Sequence, residues 1–467
     1  MQISSPATDA HAVPVAKAPL RALAGWVLVD WALQPYYTLV LTFLFAPYFT
    51  SAVVDDPVRG QALWGYAAAT AGVLIAIGSP LLGAVADSGG RRKPWVGLFA
   101  LMLAFGLAAL WWATPGASLP TIIAVLTAFV IATIAAEFAT VFTNAIMPTL
   151  VPSGQLGRLS GVGWATGYVG GLVSLCVVAG FLVTNPATGK TLLGFEPWLA
   201  LDVTQREGDR LVGPFSAMWA LVFLIPFFLF VPDRRPLSGM PRTNGSALRD
   251  LWNTVRLLPR QRDMLYFLIA RALYSDGLSA IFVFGGIYGT AVFGWEAIER
   301  GIFGIILITV GVIGALVGGT FDDRFGAKRV VIGALVLLMI GCVGILSVSP
   351  QYVLFVVPIE PKASGSAPFS STGEIVFLGF ACFVALAAAP NQAASRTLLA
   401  RLAPPERMTQ YFGLFAFSGK VTAFLAPLSV AALTTVTGSQ RAGIGAILIF
   451  LLTGLVLLLP VREKQSD

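Results

Sequence analysis

Six ionisable residues lie inside long apolar stretches of the chain, and they comprise three acids and three bases. These residues are Asp30, Glu137, Arg271, Asp276, Arg396 and Lys420. If the stretches cross a membrane, each charge costs about 2.5–3.5 kcal/mol at a helix centre unless it is compensated. We therefore expect the six side chains to face one another, a cavity or a bound solute. Equal numbers of acids and bases allow complete pairing.

The position of each charge along its stretch divides the six into two sets. The set nearest the middle is Glu137, Asp276 and Lys420, and the other three lie nearer one end. In the end set, we expect Asp30 to pair with Arg271. In the middle set, Lys420 offers a cation for a carboxylate, and one acid offers an anion for an ammonium group. The second acid is then available to carry a proton. A purely structural role remains the alternative for each charge.

Three uncharged polar residues extend these sets at helical spacing. Gln34 follows Asp30 by four residues, Asn144 follows Glu137 by seven, and Gln392 precedes Arg396 by four. The predicted substrate-binding or coupling residues are therefore Asp30, Gln34, Glu137, Asn144, Arg271, Asp276, Gln392, Arg396 and Lys420.

Other chemistry is excluded by what the chain contains. Residues 184–191 imitate a phosphate-binding loop but lack its first glycine and follow no strand, so we predict no ATP site. The single histidine and three dispersed cysteines form no metal-ligand spacing. We expect no cofactor, no metal and no enzymatic activity, and the net charge of +7 does not indicate nucleic acid.

The composition indicates an integral membrane protein. Hydrophobic residues make up 57% of the 467 residues and charged residues 11%, whereas soluble domains carry about 25% charged residues. A membrane span needs roughly 20 apolar residues, and its backbone must pair internally as a helix. Twelve segments qualify: 22–48, 61–86, 94–114, 119–148, 160–184, 213–231, 264–290, 299–320, 329–348, 374–399, 409–436 and 442–460.

The loops between these segments define orientation and domains. Twenty Lys and Arg residues fall on the side of the N-terminus and seven on the other side, so both termini are predicted to be cytoplasmic. The longest basic-side loop, 232–262, separates two six-helix halves, 22–231 and 263–461, with tails at 1–21 and 462–467. Within this loop Leu248, Leu251, Trp252, Val255 and Leu258 share one helical face, which predicts a helix lying on the inner leaflet.

The two halves repeat a loop motif. Residues 83–93 read GAVADSGGRRK and residues 319–329 read GTFDDRFGAKR, so a glycine, an aspartate, a second glycine and basic residues occupy equivalent positions. Occurring after spans two and eight of twelve, this motif resembles the signature of the major facilitator superfamily. The resemblance implies an all-α membrane protein with the major facilitator fold. It also implies a conformational latch formed by Gly83, Asp87, Arg91, Arg92, Gly319, Asp323, Arg324 and Lys328.

Three further stretches narrow the resemblance. They are Asp30-Trp31 followed by residues 44–49 (LFAPYF), residues 392–404 (QAASRTLLARLAP), and residues 412–420 (FGLFAFSGK). They are similar to the vacuole-effluxer family of autophagy-related amino-acid exporters and its bacterial relatives. In the presumed cavity, however, residues 34–37 (QPYY) differ from the expected Asn/Ser-containing stretch.

The resemblance leads us to expect a gradient-coupled secondary transporter that exports small zwitterionic solutes such as amino acids. We expect it to be a monomer in a bacterial inner membrane, with the lipid bilayer and a small-molecule substrate as partners and protons as the coupling ion. A flippase for lipids or amphiphiles, a drug-type exporter and a non-transporting membrane sensor are the alternatives.

Overall fold

The computed structural model describes residues 15–185, 188–233, 247–295, 297–362 and 367–463. Most of the two predicted tails and part of the predicted linker lie outside these ranges. Within them the chain forms eleven helices that are long and apolar enough to cross a membrane. The fold is that of a helical membrane protein with two six-span halves.

The first half follows the predicted order, although some of its spans are longer than predicted. Span one runs through Leu20–Pro35 and continues to Val53 as π-helical turns at Tyr36–Phe43 and Phe49–Val53 on either side of a short α-helical turn at Phe45–Tyr48. The π-helical turns begin at Pro35, which interrupts the regular ladder of backbone hydrogen bonds. The other helices, spans two to six, are Pro57–Gly89, Lys93–Ala109, Leu119–Ile146, Leu156–Phe181 and Glu207–Phe230.

The second half contains one element that the sequence analysis treated incorrectly. Spans seven to ten are Arg262–Phe293, Ala297–Phe325, Ala327–Leu346 and Thr372–Leu402, and span twelve is Gln440–Leu458. The predicted eleventh span, 409–436, is two shorter helices, Met408–Ser418, called the inner helix here, and Leu425–Thr437, called the outer helix.

The break in span eleven has a local physical cause. Pro427 has no N–H to donate to the carbonyl of Ala423, and its ring would collide with that carbonyl in a continuous helix. Proline fits the first turn of a new helix, and Pro427 occupies that position in the outer helix. Gly419 and Lys420 lie at the start of the interruption.

Two smaller elements complete the fold. A short antiparallel hairpin pairs Tyr352–Val353 with Val357–Pro358 in the loop after span nine. The linker contains a helix at Ala247–Leu257, which packs against span two. On this helix Thr254 is buried while Trp252 and Val255 are exposed, an arrangement compatible with the predicted position on the inner leaflet.

The face that carries the linker helix and the motif loops is called the basic face here. Near it the two halves touch backbone to backbone. A Cβ atom on Gly83 of span two would lie 2.6 Å from the carbonyl oxygen of Thr409 in span eleven, and one on Gly319 of span eight would lie 2.6 Å from that of Gly157 in span five. Small residues therefore permit both close helix contacts.

Toward the opposite face the halves part. The inner helix of span eleven packs against spans two and four of the first half, whereas the outer helix packs mainly against spans seven and twelve of its own half. Along span eleven the halves are therefore in contact at the basic face and separate toward the opposite face.

Because the two backbones meet at Gly83, a larger side chain there should force the basic face apart. We expect Gly83→Val to widen the separation between spin labels at Gly89 and Glu406, which lie on the basic-face loops of the two halves. Gly72→Val is the matched control on the same helix, since a Cβ at Gly72 meets nothing within 4 Å.

The measurement is a pulsed electron spin resonance distance distribution, with Cys176, Cys342 and Cys382 first replaced because all three are free thiols. Unchanged distances in Gly83→Val, or equal widening in Gly72→Val, would show that the close approach does not control closure.

Candidate functional site

Among the residues that the structure describes, two ion pairs join the halves inside the bundle. The first lies between span one and span ten, where Arg396 Nη1 is 3.3 Å from Asp30 Oδ2. Arg396 is nearly inaccessible, with 4% of its side chain exposed, while Asp30 is 24% exposed. One member of this pair is therefore sealed in the bundle, and the other borders open space.

The remaining donors of Arg396 are also directed to the first half. Its Nη1 donates to Asn144 Oδ1 at 3.0 Å, its Nε to Ser160 Oγ at 2.9 Å, and its Nη2 to the Ser160 carbonyl oxygen at 2.8 Å. The guanidinium also lies over the Trp26 ring, 4.9 Å from its centroid. Ser160 and Trp26 were not predicted from the sequence, because an apolar helix gives no signal for a serine or tryptophan that serves a distant charge.

The second ion pair is the more accessible one. Lys420 Nζ, at the break in span eleven, is 2.8 Å from Glu137 Oε1 in span four. The side chain of Lys420 is 32% exposed and that of Glu137 is 20% exposed. A cation and an anion thus face each other across the two halves where the bundle begins to open.

Arg271 does not pair with Asp30, and that expectation was wrong. Its Nη1 donates instead to the Phe415 carbonyl oxygen at 2.5 Å and to Ser418 Oγ at 2.9 Å. Its guanidinium also stacks on the Phe415 ring, 3.4 Å from the centroid. All these contacts lie on span eleven of its own half, because span seven turns this residue toward the break and away from span one.

The other predicted residues are placed as follows. Asp276 is 1% exposed, and neither carboxylate oxygen has a hydrogen-bond partner among the described residues. Gln34 donates to Thr38 Oγ1 at 3.4 Å on its own helix, and it lies near Gly167 of span five beside Asp30. Gln392 is half-buried on span ten, one turn before Arg396.

The predicted latch of the first half lies at the beginning of the inner helix of span eleven. Asp87 accepts hydrogen bonds from the backbone N–H groups of Gln410 at 2.8 Å and Thr409 at 3.2 Å, and its Oδ1 lies 3.4 Å from Arg92 Nη2. A carboxylate in this position is stabilised by the unpaired N–H groups and positive end of the helix. Arg91 is exposed.

The second half makes the equivalent contact, from its own motif loop to a helix end of the first half. Asp323 accepts from the N–H groups of Gly157 at 2.8 Å and Arg158 at 3.2 Å, in the first turn of span five. The basic residues of the loop that carries Asp323 contact other groups. Arg324 lies over the Phe325 ring, and Lys328 Nζ donates to the Leu459 carbonyl oxygen at 2.7 Å.

A neighbouring charge cluster was missed by the sequence analysis. Asp322 is 1% exposed, is 2.6 Å from Arg401 Nη1, and accepts from Thr397 Oγ1. Arg401 also binds Glu463 at 2.7 Å, which ties the C-terminal segment to span ten. The signal was present, since two aspartates stand side by side at 322–323, but the motif alone directs attention to the second.

The architecture places the chain among solved transporters. It resembles the transporter FucP in its outward conformation, with a TM-score of 0.69, 13% identity and coverage of 95% of this chain and 99% of that one. It also resembles the human organic anion transporter MFSD10, with a TM-score of 0.67, 17% identity and coverage of 94% and 99%. Such likeness shows the fold, and the family match and the relative given below make the chain a transporter of the major facilitator type rather than an enzyme.

The particular family follows from the sequence comparison. Residues 153–467, well over half of the chain, match the family described as vacuole effluxer Atg22 like, and the chain belongs to that family. It is 25% identical to the uncharacterized MFS-type transporter YxiO of Bacillus subtilis, over 95% of both chains. It is 27% identical to autophagy-related protein 22-1 of Sclerotinia sclerotiorum, over 54% of this chain and 44% of that protein.

Because Asp30 and Arg396 form an ion pair, we expect the effects of their substitutions on stability to be strongly non-additive. Asp30→Asn or Arg396→Gln alone should lower the melting temperature, because loss of one partner of a buried pair costs about 3–5 kcal/mol, less where one partner is partly exposed. The double variant should recover much of the loss. As a matched control, Asp30→Asn with Arg271→Gln should show additive losses, and coupling in this control instead would contradict the assignment.

The helix-end contacts of Asp87 predict a shift in conformation. We expect Asp87→Asn to weaken closure at the basic face by about 1–2 kcal/mol, the range for losing an N-cap or a charge at a helix end. Asp323→Asn should have a similar effect through span five. Spin-label distances between basic-face loops measure the change, and unaltered populations in both variants would argue against a latch.

Proposed function

We propose that this protein is a secondary transporter that uses alternating access to export small zwitterionic solutes such as amino acids, driven by an ion gradient. The observation that carries the proposal is the Lys420–Glu137 pair, which joins the two halves at a partly exposed position. A zwitterion has one carboxylate and one ammonium group, and it can replace this pair charge for charge.

The replacement links binding to a change of shape. While Lys420 and Glu137 bind each other, the two half-bundles are held together at the centre. A substrate that binds both side chains takes over their charges, so that neither is left unpaired while the halves rearrange. Because a ligand shifts a conformational equilibrium only by its difference in affinity for the two states, this exchange of partners gives the substrate a physical means of driving the transition.

The direction of transport rests on the distribution of positive charge. If the basic face is cytoplasmic, as the Lys and Arg bias indicates, the present structure is outward-facing, with its inner face closed by spans two, five, eight and eleven. Residence in a bacterial inner membrane with both termini inside belongs to the same proposal. The family description, vacuole effluxer, supports export.

The proposal is tested with purified protein in liposomes and a panel of radiolabelled L-amino acids. We expect counterflow of at least one of them by the wild-type protein. Lys420→Ala and Glu137→Gln should each weaken its binding roughly 10- to 100-fold, because a hydrogen bond to a charged group contributes about 1.5–3 kcal/mol. Lys190→Ala, which removes a lysine from the loop between spans five and six, is the matched control and should bind normally.

The alternatives give different outcomes in the same liposomes. An exporter of lipids or amphiphiles would move a labelled lysophospholipid or a hydrophobic dye but none of the amino acids. A sensor would bind a ligand in detergent and transport nothing. Normal amino-acid binding by Lys420→Ala would remove the assigned role of the pair even if transport were observed.

A further inference from the structure

Two of the six membrane-embedded charges take no part in the cross-half ion pairs. Asp30 binds Arg396 and Glu137 binds Lys420, which leaves one base and one acid, Arg271 and Asp276, both on span seven. They are five residues apart, so they project from different sides of the helix. Arg271 is satisfied by Phe415 and Ser418, whereas Asp276 forms no ion pair among the described residues and has only the Thr422 hydroxyl beside it.

The surroundings of Asp276 offer a negative charge little compensation, namely one neighbouring hydroxyl, that of Thr422, and the guanidinium of Arg271, which forms no ion pair with it. Asp276 is 1% exposed, so water does not reach it. The hydroxyl of Thr422, in the break of span eleven, lies beside Asp276, and its other neighbour is the Ala272 carbonyl oxygen at 3.5 Å. A buried carboxylate with so little compensation is strongly disfavoured in the ionised form, while the neutral acid is tolerated much better.

The charged groups on the helices packed against span seven are engaged elsewhere. On span eleven Lys420 binds Glu137, and on span ten Arg396 binds Asp30. On span twelve the one charged residue is Arg441, which binds Tyr288 Oη and the Val348 carbonyl oxygen. The field of Arg271, on the same helix, reaches Asp276 without forming an ion pair with it.

From this geometry we propose that Asp276 is the proton-binding site of the transporter, separate from the substrate pair, and that it is protonated in the closed-basic-face state seen here. The inference rests on the proposed transport function and identifies which acid couples it to a gradient. Glu137 is excluded from this role in the present state because it is paired with Lys420.

The break in span eleven gives protonation a mechanical consequence. Loss of the proton leaves a carboxylate in a sealed, apolar site. The polar group beside it is the Thr422 hydroxyl, which belongs to the interruption between Ser418 and Leu425. Ionised Asp276 would draw this hydroxyl, and with it the interruption that joins the inner and outer helices of span eleven. Since the inner helix forms the contact with span two, a proton at Asp276 can bias closure of the basic face.

A first experiment tests the protonation state without any substrate. Infrared difference spectra of the protein in membranes, in light and heavy water, report the carbonyl stretch of a protonated carboxylic acid. We expect such a band near neutral pH in the wild type, its loss in Asp276→Asn, and its retention in Glu137→Gln. A spectrum unchanged by Asp276→Asn, or a band that disappears in Glu137→Gln, would overturn the assignment.

A second experiment tests coupling, with the amino acid identified by the counterflow panel as the probe. Each coupled proton can support at most a roughly tenfold substrate gradient per unit of pH difference. In Asp276→Asn we expect this accumulation to vanish while counterflow stays within about twofold of wild type, and Asp276→Glu should restore accumulation in part. Retained pH-driven accumulation in Asp276→Asn, or accumulation driven by sodium alone, would overturn the proposal.

The two experiments separate the inference from the proposed function. If no amino acid is transported, the proposed function fails, and the infrared result still decides whether Asp276 holds a proton. If transport occurs and the infrared band is absent, the function stands and the assignment of Asp276 fails.

Discussion

A charge inside an apolar slab must be paired, hydrated or neutralised, and much of this structure can be understood from that constraint. Four of the six charges within the spans meet it through two ion pairs that cross from one half-bundle to the other. The contacts that make these charges tolerable in the membrane are therefore also contacts that hold one conformation together. The halves cannot separate at the centre until water, a solute or a new partner takes over the exposed charges.

The need of charged and polar groups for partners also determines the contacts at the basic face. Asp87 of the first half binds the beginning of the inner helix of span eleven, and Asp323 of the second half binds the beginning of span five. Each carboxylate satisfies backbone N–H groups that a helix end leaves unpaired. Because these partners belong to opposite halves, both helix ends become exposed to other partners when the face opens.

The internal duplication reappears at the centre of the molecule. Asn144 of span four and Arg396 of span ten each stand eight residues before a proline, Pro152 and Pro404, and they bind each other directly. One repeat has a neutral amide at this position and the other has a guanidinium, so the two side chains can form a hydrogen bond with each other. The break in span eleven is a further departure from symmetry, since the equivalent span five is continuous. It places Lys420, Arg271 and Asp276 around one interruption.

The sequence alone determined the membrane class, the two six-span halves, the motif loops and the identity of the buried charges. These features depend on composition and on spacing along one helix, which the linear order of residues contains. It did not determine which acid meets which base. Depth along a helix can be counted from residues, but the direction in which a side chain points across the bundle depends on the tilt and rotation of every span.

For that reason Asp30 was expected beside Arg271, and the structure pairs it with Arg396. Glycine, lysine and a later proline at 419, 420 and 427 signalled a break that the apolar run concealed. The isolation of Asp276 could not be predicted at all, because it depends on the other five charges finding partners first. Only tertiary packing decides which acid pairs with which base, since each ion pair that forms leaves fewer partners for the remaining charged side chains.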